Sequence, residues 1–124
     1  MLLSKREQAQ IERRLVATLT EACETAKARI VGFVWLTHEV DFAHFPASLR
    51  VTWVFDTRAN RDQAVAGEPA RQMLELTTAA LREADVEVKQ VSAHMAFDSE
   101  EHCQQVSAGN WQRHLARSPR PGRH

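Results

Sequence analysis

Two similar tripeptides mark strand-to-helix junctions in this chain. Residues 55–57 (Phe-Asp-Thr) and 97–99 (Phe-Asp-Ser) each end an apolar, strand-like run and precede a polar stretch that favours a helix. Because Asp, Ser and Thr accept hydrogen bonds from the first turn of a helix, we predict that Asp56 and Asp98 are helix caps rather than an acid–base pair. If the two strands are parallel neighbours, both junctions lie at one edge of a sheet.

The first part of the sequence predicts a long amphipathic helix over residues 4 to about 28. Ser4 and Glu7 have the spacing of a capping box, in which each side chain accepts a hydrogen bond from the other residue's backbone N–H. Apolar side chains then recur on one face at helical spacing: Ile11, Leu15, Leu19, Ala22, Cys23 and Ala26. We expect this face, Cys23 included, to pack on a sheet.

Three segments predict the strands of that sheet. Residues 29–38 are apolar on both alternating faces, which is typical of a central strand or a subunit contact. Residues 49–55 alternate between two faces, one of which is wholly apolar. Residues 86–97 shift their apolar phase near Gln90, which predicts a β-bulge.

The aromatic residues of the first two strands and their connection predict an interface. The loop over residues 39–48 is long for a hairpin connection, and we expect Phe42 and Phe45 to anchor it on a partner. Trp35 and Trp53 lie in the flanking strands. Since one helix layer cannot cover both faces of a sheet, we expect either the last helix or a second subunit to cover the other face, and we predict a homodimer.

The remaining segments complete a single α+β domain. Helices are predicted over residues 57–65, 69–84 and 98–107, and over a last short segment that carries Trp111. Without that last short segment the order is α-β-β-α-α-β-α, with a three-stranded mixed sheet and helices mainly on one face. We place this domain at residues 1–116 and a disordered basic tail at residues 117–124.

Composition narrows the classes of function. Sixteen basic residues balance sixteen acidic ones, which argues against strong non-specific binding of nucleic acid. The longest apolar run, residues 30–36, is too short to span a bilayer, and no signal peptide is visible. Two cysteines, Cys23 and Cys103, do not make a secreted disulfide framework. We expect a cytoplasmic protein with reduced thiols.

Four segments carry a resemblance to a known family: residues 32–38, 54–57, 97–101 and 109–111. On these segments the chain resembles a family of small proteobacterial proteins whose members are often labelled Fis-family transcriptional regulators. The resemblance covers most of residues 10 to 116 and implies a bacterial protein with a regulatory role. It carries no catalytic or DNA-reading residue over to this sequence.

The order of the predicted core elements is also similar to that of type II KH domains, which bind single-stranded RNA or DNA. KH domains hold the nucleic-acid backbone with a GXXG loop between two helices. The equivalent connection here, residues 65–70, has the single glycine Gly67, and the neighbouring Glu68 would repel phosphate. This similarity implies a nucleic-acid or ribosome-binding role without supplying its usual loop.

Basic residues on the helices give the nucleic-acid hypothesis its candidate contacts: Arg13, Arg14, Arg58, Arg61 and Arg71. Acidic neighbours such as Asp62 and Glu75 favour an ordinary mixed-charge surface instead. Four other side chains suggest metal binding by type alone: His38, His94, His102 and Cys103. None of their spacings is a recognised zinc-ligand spacing, so we expect no metal. The sequence also has no Gly-rich phosphate loop and no nucleophile elbow, and we expect no cofactor and no catalytic residue.

The sequence therefore predicts a non-enzymatic cytoplasmic binding or regulatory module that self-associates. A KH-like protein that binds RNA, DNA or the ribosome is the alternative, and a protein partner is a further one. A small enzyme whose site forms across a dimer is the third hypothesis. Exposure of Trp35 and Trp53 would favour an interaction protein, and a pocket lined by His38, His94 and a carboxylate would favour an enzyme.

Overall fold

The computed structural model describes residues 3–117, where five helices and a three-stranded sheet form one α+β domain. In chain order the elements are α1 Lys5–Lys27, β1 Phe33–Glu39, β2 Arg50–Phe55, α2 Arg58–Ala66, α3 Glu68–Glu83, β3 Met95–Ser99, α4 Glu100–Ser107 and α5 Trp111–Arg117. The predicted fold class is confirmed. Residues 118–124, the rest of the predicted tail, lie outside the described residues.

The sheet has the order β1-β2-β3, with β2 in the centre. β1 is antiparallel to β2, whereas β3 is parallel to it and pairs Ser99 with Phe55. The two Asp junctions therefore lie at the same edge of the sheet, as the sequence predicts for parallel neighbours. Among residues 3–117, no helix is long and apolar enough to cross a bilayer.

One face of the sheet packs on the three longest helices. α1 begins with the predicted capping box, in which Ser4 Oγ accepts from the Glu7 N–H at 3.1 Å and Glu7 Oε1 accepts from the Ser4 N–H at 2.9 Å. Trp53 is fully buried in the core of this face, and its indole N–H donates to Thr77 Oγ1 of α3 at 3.2 Å. Trp53 therefore cannot form an interface with a partner, and that prediction is wrong. The reason is that its face of β2 lies under α3.

The second face of the sheet is also covered. Arg50, Thr52 and Val54 alternate with the core residues of β2 and are 2%, 3% and 0% exposed. The side chain of Trp35, which pairs with Val54, contacts Trp111 of α5 with ring centroids 4.9 Å apart. The short helices α4 and α5 thus cover the face that α1 to α3 leave open, which is the first of the two expected covers.

The strand predicted over residues 86–97 is wrong in its first half. Only Met95–Ser99 pair with β2, and Val91–His94 form a 3₁₀ turn where the bulge was expected. The ring of His94 is buried and its Nδ1 donates to the Leu49 carbonyl at 2.7 Å, just before the ladder begins. The Leu49 carbonyl therefore accepts from a side chain and not from the backbone of a longer β3.

The first strand is shorter than predicted. Arg29 and Ile30 donate their N–H groups to the Ala26 carbonyl, at 3.0 and 2.8 Å, and so close the end of α1. Gly32 follows with a φ of +81°, and β1 begins only at Phe33. The Gly32 carbonyl accepts from the Asp56 N–H at 2.9 Å, so this turn is tied to the junction between β2 and α2.

Replacing Gly32 with Ala should destabilise the protein more than the same change at Gly109. Both glycines have a left-handed φ, which costs an L-residue about 1–2 kcal/mol. At Gly32 the added methyl would lie 2.6 Å from Asn60 Cβ, and such overpacking costs about 1–3 kcal/mol more. At Gly109 the nearest atom, at 2.8 Å, ends the flexible Gln104 side chain, which can move.

The measurement is urea unfolding of both variants beside the unmodified chain. Equal losses for Gly32→Ala and Gly109→Ala would show that the Asn60 contact does not constrain the turn.

Candidate functional site

The candidate site lies on the second face of the sheet, where β3, α4 and α5 converge. Asp98 stands near the end of β3 opposite Val54, His102 lies in the first turns of α4, and His114 lies in α5. One ligand-capable atom from each of Asp98, His102 and His114 lies within 4.8 Å of the others. Residues 98–117 thus bring two imidazoles and a carboxylate to one place.

His114 is held between two buried partners. Its Nε2 lies 2.7 Å from Asp98 Oδ2 and its Nδ1 lies 2.9 Å from Ser107 Oγ, while only 5% of the residue is exposed. The ring also packs against Trp111, with centroids 5.3 Å apart. These contacts fix α5 to the end of β3 and to the end of α4.

The Ser107–His114–Asp98 chain has the residue types of a hydrolase triad. Ser107 is 4% exposed, so its hydroxyl has no room for a substrate carbonyl. The two hydrogen bonds of His114 join α5 to Asp98 of β3 and to Ser107 of α4. We call this arrangement the His114 clamp. A buried polar network of this kind stabilises a fold only when its members all have partners.

The carboxylate of Asp98 is oriented by the backbone beside it. Oδ1 accepts from the Ser99 N–H at 2.8 Å, which leaves Oδ2 to face His114. The cap of α4 is Ser99, whose Oγ accepts from the His102 N–H at 3.0 Å. The prediction that Asp98 is the helix cap is therefore wrong. The strand extends two residues further than predicted, to Ser99, and turns Asp98 towards α5.

The cap of α2 is likewise one residue later than predicted. Thr57 caps α2 by accepting from the Asn60 N–H, whereas Asp56 accepts from the Asn60 side-chain amide at 2.8 Å and from the Thr57 N–H at 2.7 Å. The amide of Asn60, followed by the backbone contact, lowers the pKa of the Asp56 carboxyl below its usual value. Asp56 therefore braces the junction without capping it.

An exposed rim joins the starts of α2 and α4. Arg58 Nη2 donates to His102 Nδ1 at 2.7 Å, and the Arg58 N–H donates to Glu101 Oε1 at 2.8 Å. The Glu101 N–H in turn donates to the Asp56 carbonyl at 3.2 Å. The rim places a guanidinium and a half-buried imidazole where a ligand in solvent can reach them.

A single carboxylate links two tryptophans across the second face. Glu100 accepts from Trp35 Nε1 at 2.6 Å through Oε1 and from Trp111 Nε1 at 3.0 Å through Oε2. The two rings meet edge to face, with an interplanar angle of 82°. Trp35 therefore packs against α5 and is half-buried, and its contact with a partner stays a prediction.

Cys103 lies beside this cluster and is fully buried. Burial, together with the nearby carboxylates of Asp98 and Glu100, raises the pKa of its thiol. A thiol held neutral and out of solvent is a poor nucleophile. Cys103 therefore packs the second face, as Cys23 was expected to do on the first.

The five arginines proposed for nucleic acid are mostly engaged within the protein. Arg61 pairs with Asp62, Arg71 pairs with Glu68 and Glu75, and Arg14 Nε donates to the Ala84 carbonyl at 3.0 Å. Arg13 is exposed on α1, and Arg58 belongs to the rim. Whether any of them contacts nucleic acid stays a prediction.

The two loop phenylalanines lie against their own domain. Phe42 and Phe45 have ring centroids 5.6 Å apart and are partly buried against the core. Their contact with a partner stays a prediction.

Of the four residues considered for metal binding, only His102 and Cys103 lie near the cluster. His38 Nε2 contacts Glu12 Oε1 at 2.5 Å on the other face, and His94 is bonded to the backbone. Spacing in the sequence misses His114 because its partners come from separate elements. The available signals were Asp98 and His102, four residues apart across a junction, and the shared helix face of Trp111 and His114.

No family model matches this chain, and no curated protein matches it. The regulatory role implied by the Fis-labelled family stays a prediction. For the KH comparison, α2 and α3 meet directly at Gly67, which serves both helices as a cap. Between these two helices there is no room for a loop of the GXXG kind.

Replacing Glu100 with Ala should loosen α5 and change the tryptophan fluorescence. Loss of the shared acceptor leaves two indole N–H groups without their partner, at a cost of about 1–3 kcal/mol. We expect a red-shifted emission and a lower midpoint in urea. Glu101→Ala is the matched control, since Glu101 lies in the same turn and its side chain accepts from Arg58 rather than from an indole. A red shift of similar size in both variants would contradict the assignment.

Proposed function

We propose that this protein is a non-enzymatic binding or regulatory module whose responsive part is α5. The observation that carries the proposal is the clamp of His114 between Asp98 and Ser107. A helix of seven residues is not stable alone in water, so α5 depends on its contacts with the sheet. The imidazole nitrogens of a histidine can bind another ligand in place of a hydrogen-bond partner. A change at His114 therefore changes how α5 is held.

The reactive side chains near the clamp support a binding role over a catalytic one. The Ser107 hydroxyl and the Cys103 thiol are buried, and the pKa of that thiol is raised. Both oxygens of Glu100 accept from indoles. Each of these groups is buried or hydrogen-bonded within the second face. Cys23 and Cys103 are free thiols, which supports the proposal that the protein is located in the reducing cytoplasm.

The proposal includes self-association, and the outer edge of β1 is the surface that supports it. Within residues 3–117, β1 pairs with β2 alone, so one side of it is available for strand addition. Val34 of β1 is 37% exposed, and Val31, three residues earlier in the chain, is 81% exposed. A groove of about 220 Å³ follows this strand, between Leu36 and Val16 of α1.

The occupant we propose for this edge is β1 of a second copy. An antiparallel pair of β1 strands would extend the sheet across a two-fold axis, which is the commonest symmetry of homo-oligomers. The balance of sixteen basic and sixteen acidic residues removes the net repulsion that would oppose the approach of two copies.

Replacing Val34 with Lys should convert a dimer into a monomer, because a lysine on an edge strand opposes strand addition. The measurement is size-exclusion chromatography with light scattering in low salt, where a single chain has a mass of 14.1 kDa. Val65→Lys, at an exposed valine of α2, is the matched control and should remain dimeric.

A monomeric unmodified chain, or a dimer that survives Val34→Lys, would refute self-association at β1. Absorbance at 260 nm that salt removes from the purified protein would support the nucleic-acid alternative and direct attention to Arg13 and Arg58.

Replacing Asp98 with Ala should release α5 while the first core remains intact. His114 then loses a buried partner, which costs about 1–3 kcal/mol. Asp98→Asn should cost less, because the amide can still hydrogen-bond to the ring. Hydrogen exchange is the measurement: amides of α5 should exchange faster and amides of α1 should not. Asp62→Ala, at an exposed carboxylate of α2, is the control. Unchanged exchange in α5 would rule out the clamp as its holder.

A further inference from the structure

We propose that Asp98, His102 and His114 form a binding site for a divalent transition metal of the zinc type. This inference rests on the proposed function, since it names the ligand to which α5 responds. The three side chains come from β3, α4 and α5, and their ligand atoms lie within 4.8 Å of one another. Two ligands of a tetrahedral zinc ion are about 3.4 Å apart, because each lies 2.0–2.2 Å from the metal. Asp98 Oδ2 and His114 Nε2 are 2.7 Å apart and must separate by about 0.7 Å, and any separation as long as 4.8 Å must shorten by about 1.4 Å.

The donor set selects the class of metal. Two imidazole nitrogens and one carboxylate oxygen suit Zn²⁺ and its neighbours in the first transition row, whereas Mg²⁺ and Ca²⁺ require oxygen ligands. Three protein ligands leave a fourth position for water or for a donor from a partner. Asp98 and His114 are 9% and 5% exposed, so a metal would bind at the edge of the buried face and not on a mobile surface.

The atoms around the cluster already orient the ligands. The Ser99 N–H holds Asp98 Oδ1, so Oδ2 faces His114 Nε2 at 2.7 Å, and a metal would bind between these two atoms in place of their hydrogen bond. Ser107 Oγ lies 2.9 Å from His114 Nδ1, which is the outer contact that fixes the ring of a metal-bound histidine. When Nε2 binds a metal, any proton that Nε2 carried before is released to solvent, and the one ring proton of the neutral imidazole is on Nδ1. The Ser107 hydroxyl can accept that proton's hydrogen bond as readily as it can donate its own.

Arg58 is a built-in competitor for the site. Its guanidinium donates to His102 Nδ1 at 2.7 Å and is exposed. A cation that takes this nitrogen must displace Arg58, and even at Nε2 it must approach a positive charge. The proposal therefore predicts an unusual sign: removing an arginine should tighten metal binding. A non-specific histidine contact on the surface would not depend on this one arginine.

The test is calorimetric titration of the metal-free full-length protein with Zn²⁺. We expect one ion per chain, and at least a tenfold loss of affinity in His102→Ala and in Asp98→Asn, about the loss that even an outer contact causes. His102 is half-buried and lies at the rim, so its replacement leaves the fold intact even if changes at His114 do not. Arg58→Ala should bind Zn²⁺ more tightly, by up to about fivefold.

Two matched variants control for surface effects. His44→Ala removes an exposed histidine that also contacts a carboxylate, and Arg61→Ala removes another arginine of α2. Both should bind Zn²⁺ as the unmodified chain does. The proposal is overturned if no ion binds, if His102→Ala binds like the unmodified chain, or if Arg58→Ala binds more weakly. The two experiments that test the proposed function, hydrogen exchange in α5 and the mass of the Val34→Lys variant, are carried out without metal. Their outcome is therefore independent of whether Zn²⁺ binds.

Discussion

A buried ion pair on the second face of β2 is the constraint on which this architecture depends. Arg50 is 2% exposed and pairs with Glu39 of β1. Charges removed from water stabilise a protein only when their remaining hydrogen-bonding groups find partners. One such partner is the Leu115 carbonyl of α5, at 3.0 Å from Arg50 Nη2. The pairing of β1 with β2 and the docking of α5 therefore belong to one hydrogen-bonded system.

Other polar contacts join α5 to the rest of this second face. Where Arg50 fastens α5 to the first two strands, His114 fastens it to β3, and Trp111 reaches Trp35 and α4 through Glu100. These anchors lie within two turns of one short helix. α5 is consequently held at both edges of the sheet. Its position therefore depends on polar contacts that are spread over three strands.

The sequence predicts most strongly those features that depend on neighbouring residues. The capping box of Ser4 follows from a three-residue spacing, and the two strand-to-helix junctions follow from a repeated tripeptide. The start of β1 was missed because the end of α1 takes up Arg29 and Ile30 in backbone bonds that no side-chain pattern reveals. The first half of the third strand is predicted but does not form, because β2 begins only at Arg50 and offers no residues to pair with it.

The candidate site is hard to predict from the sequence because its residues come together only through contacts between separate elements. Asp98 and His102 belong to one junction, but His114 joins them only after α5 folds back over the sheet. The burial of Trp53 likewise depends on α3, which lies far along the chain. Periodicity assigns a residue to a face, and only tertiary structure decides which element covers that face.

The position of α5 in the chain also affects how the protein is made. α1, β1 and β2 leave the ribosome well before β3, and α5 follows as the last of the described elements. Domains fold in the order of synthesis as far as their contacts allow. During this interval the face of β2 that carries Arg50 and Val54 has no cover. Until α5 docks, this strand surface of the nascent chain is therefore open to solvent.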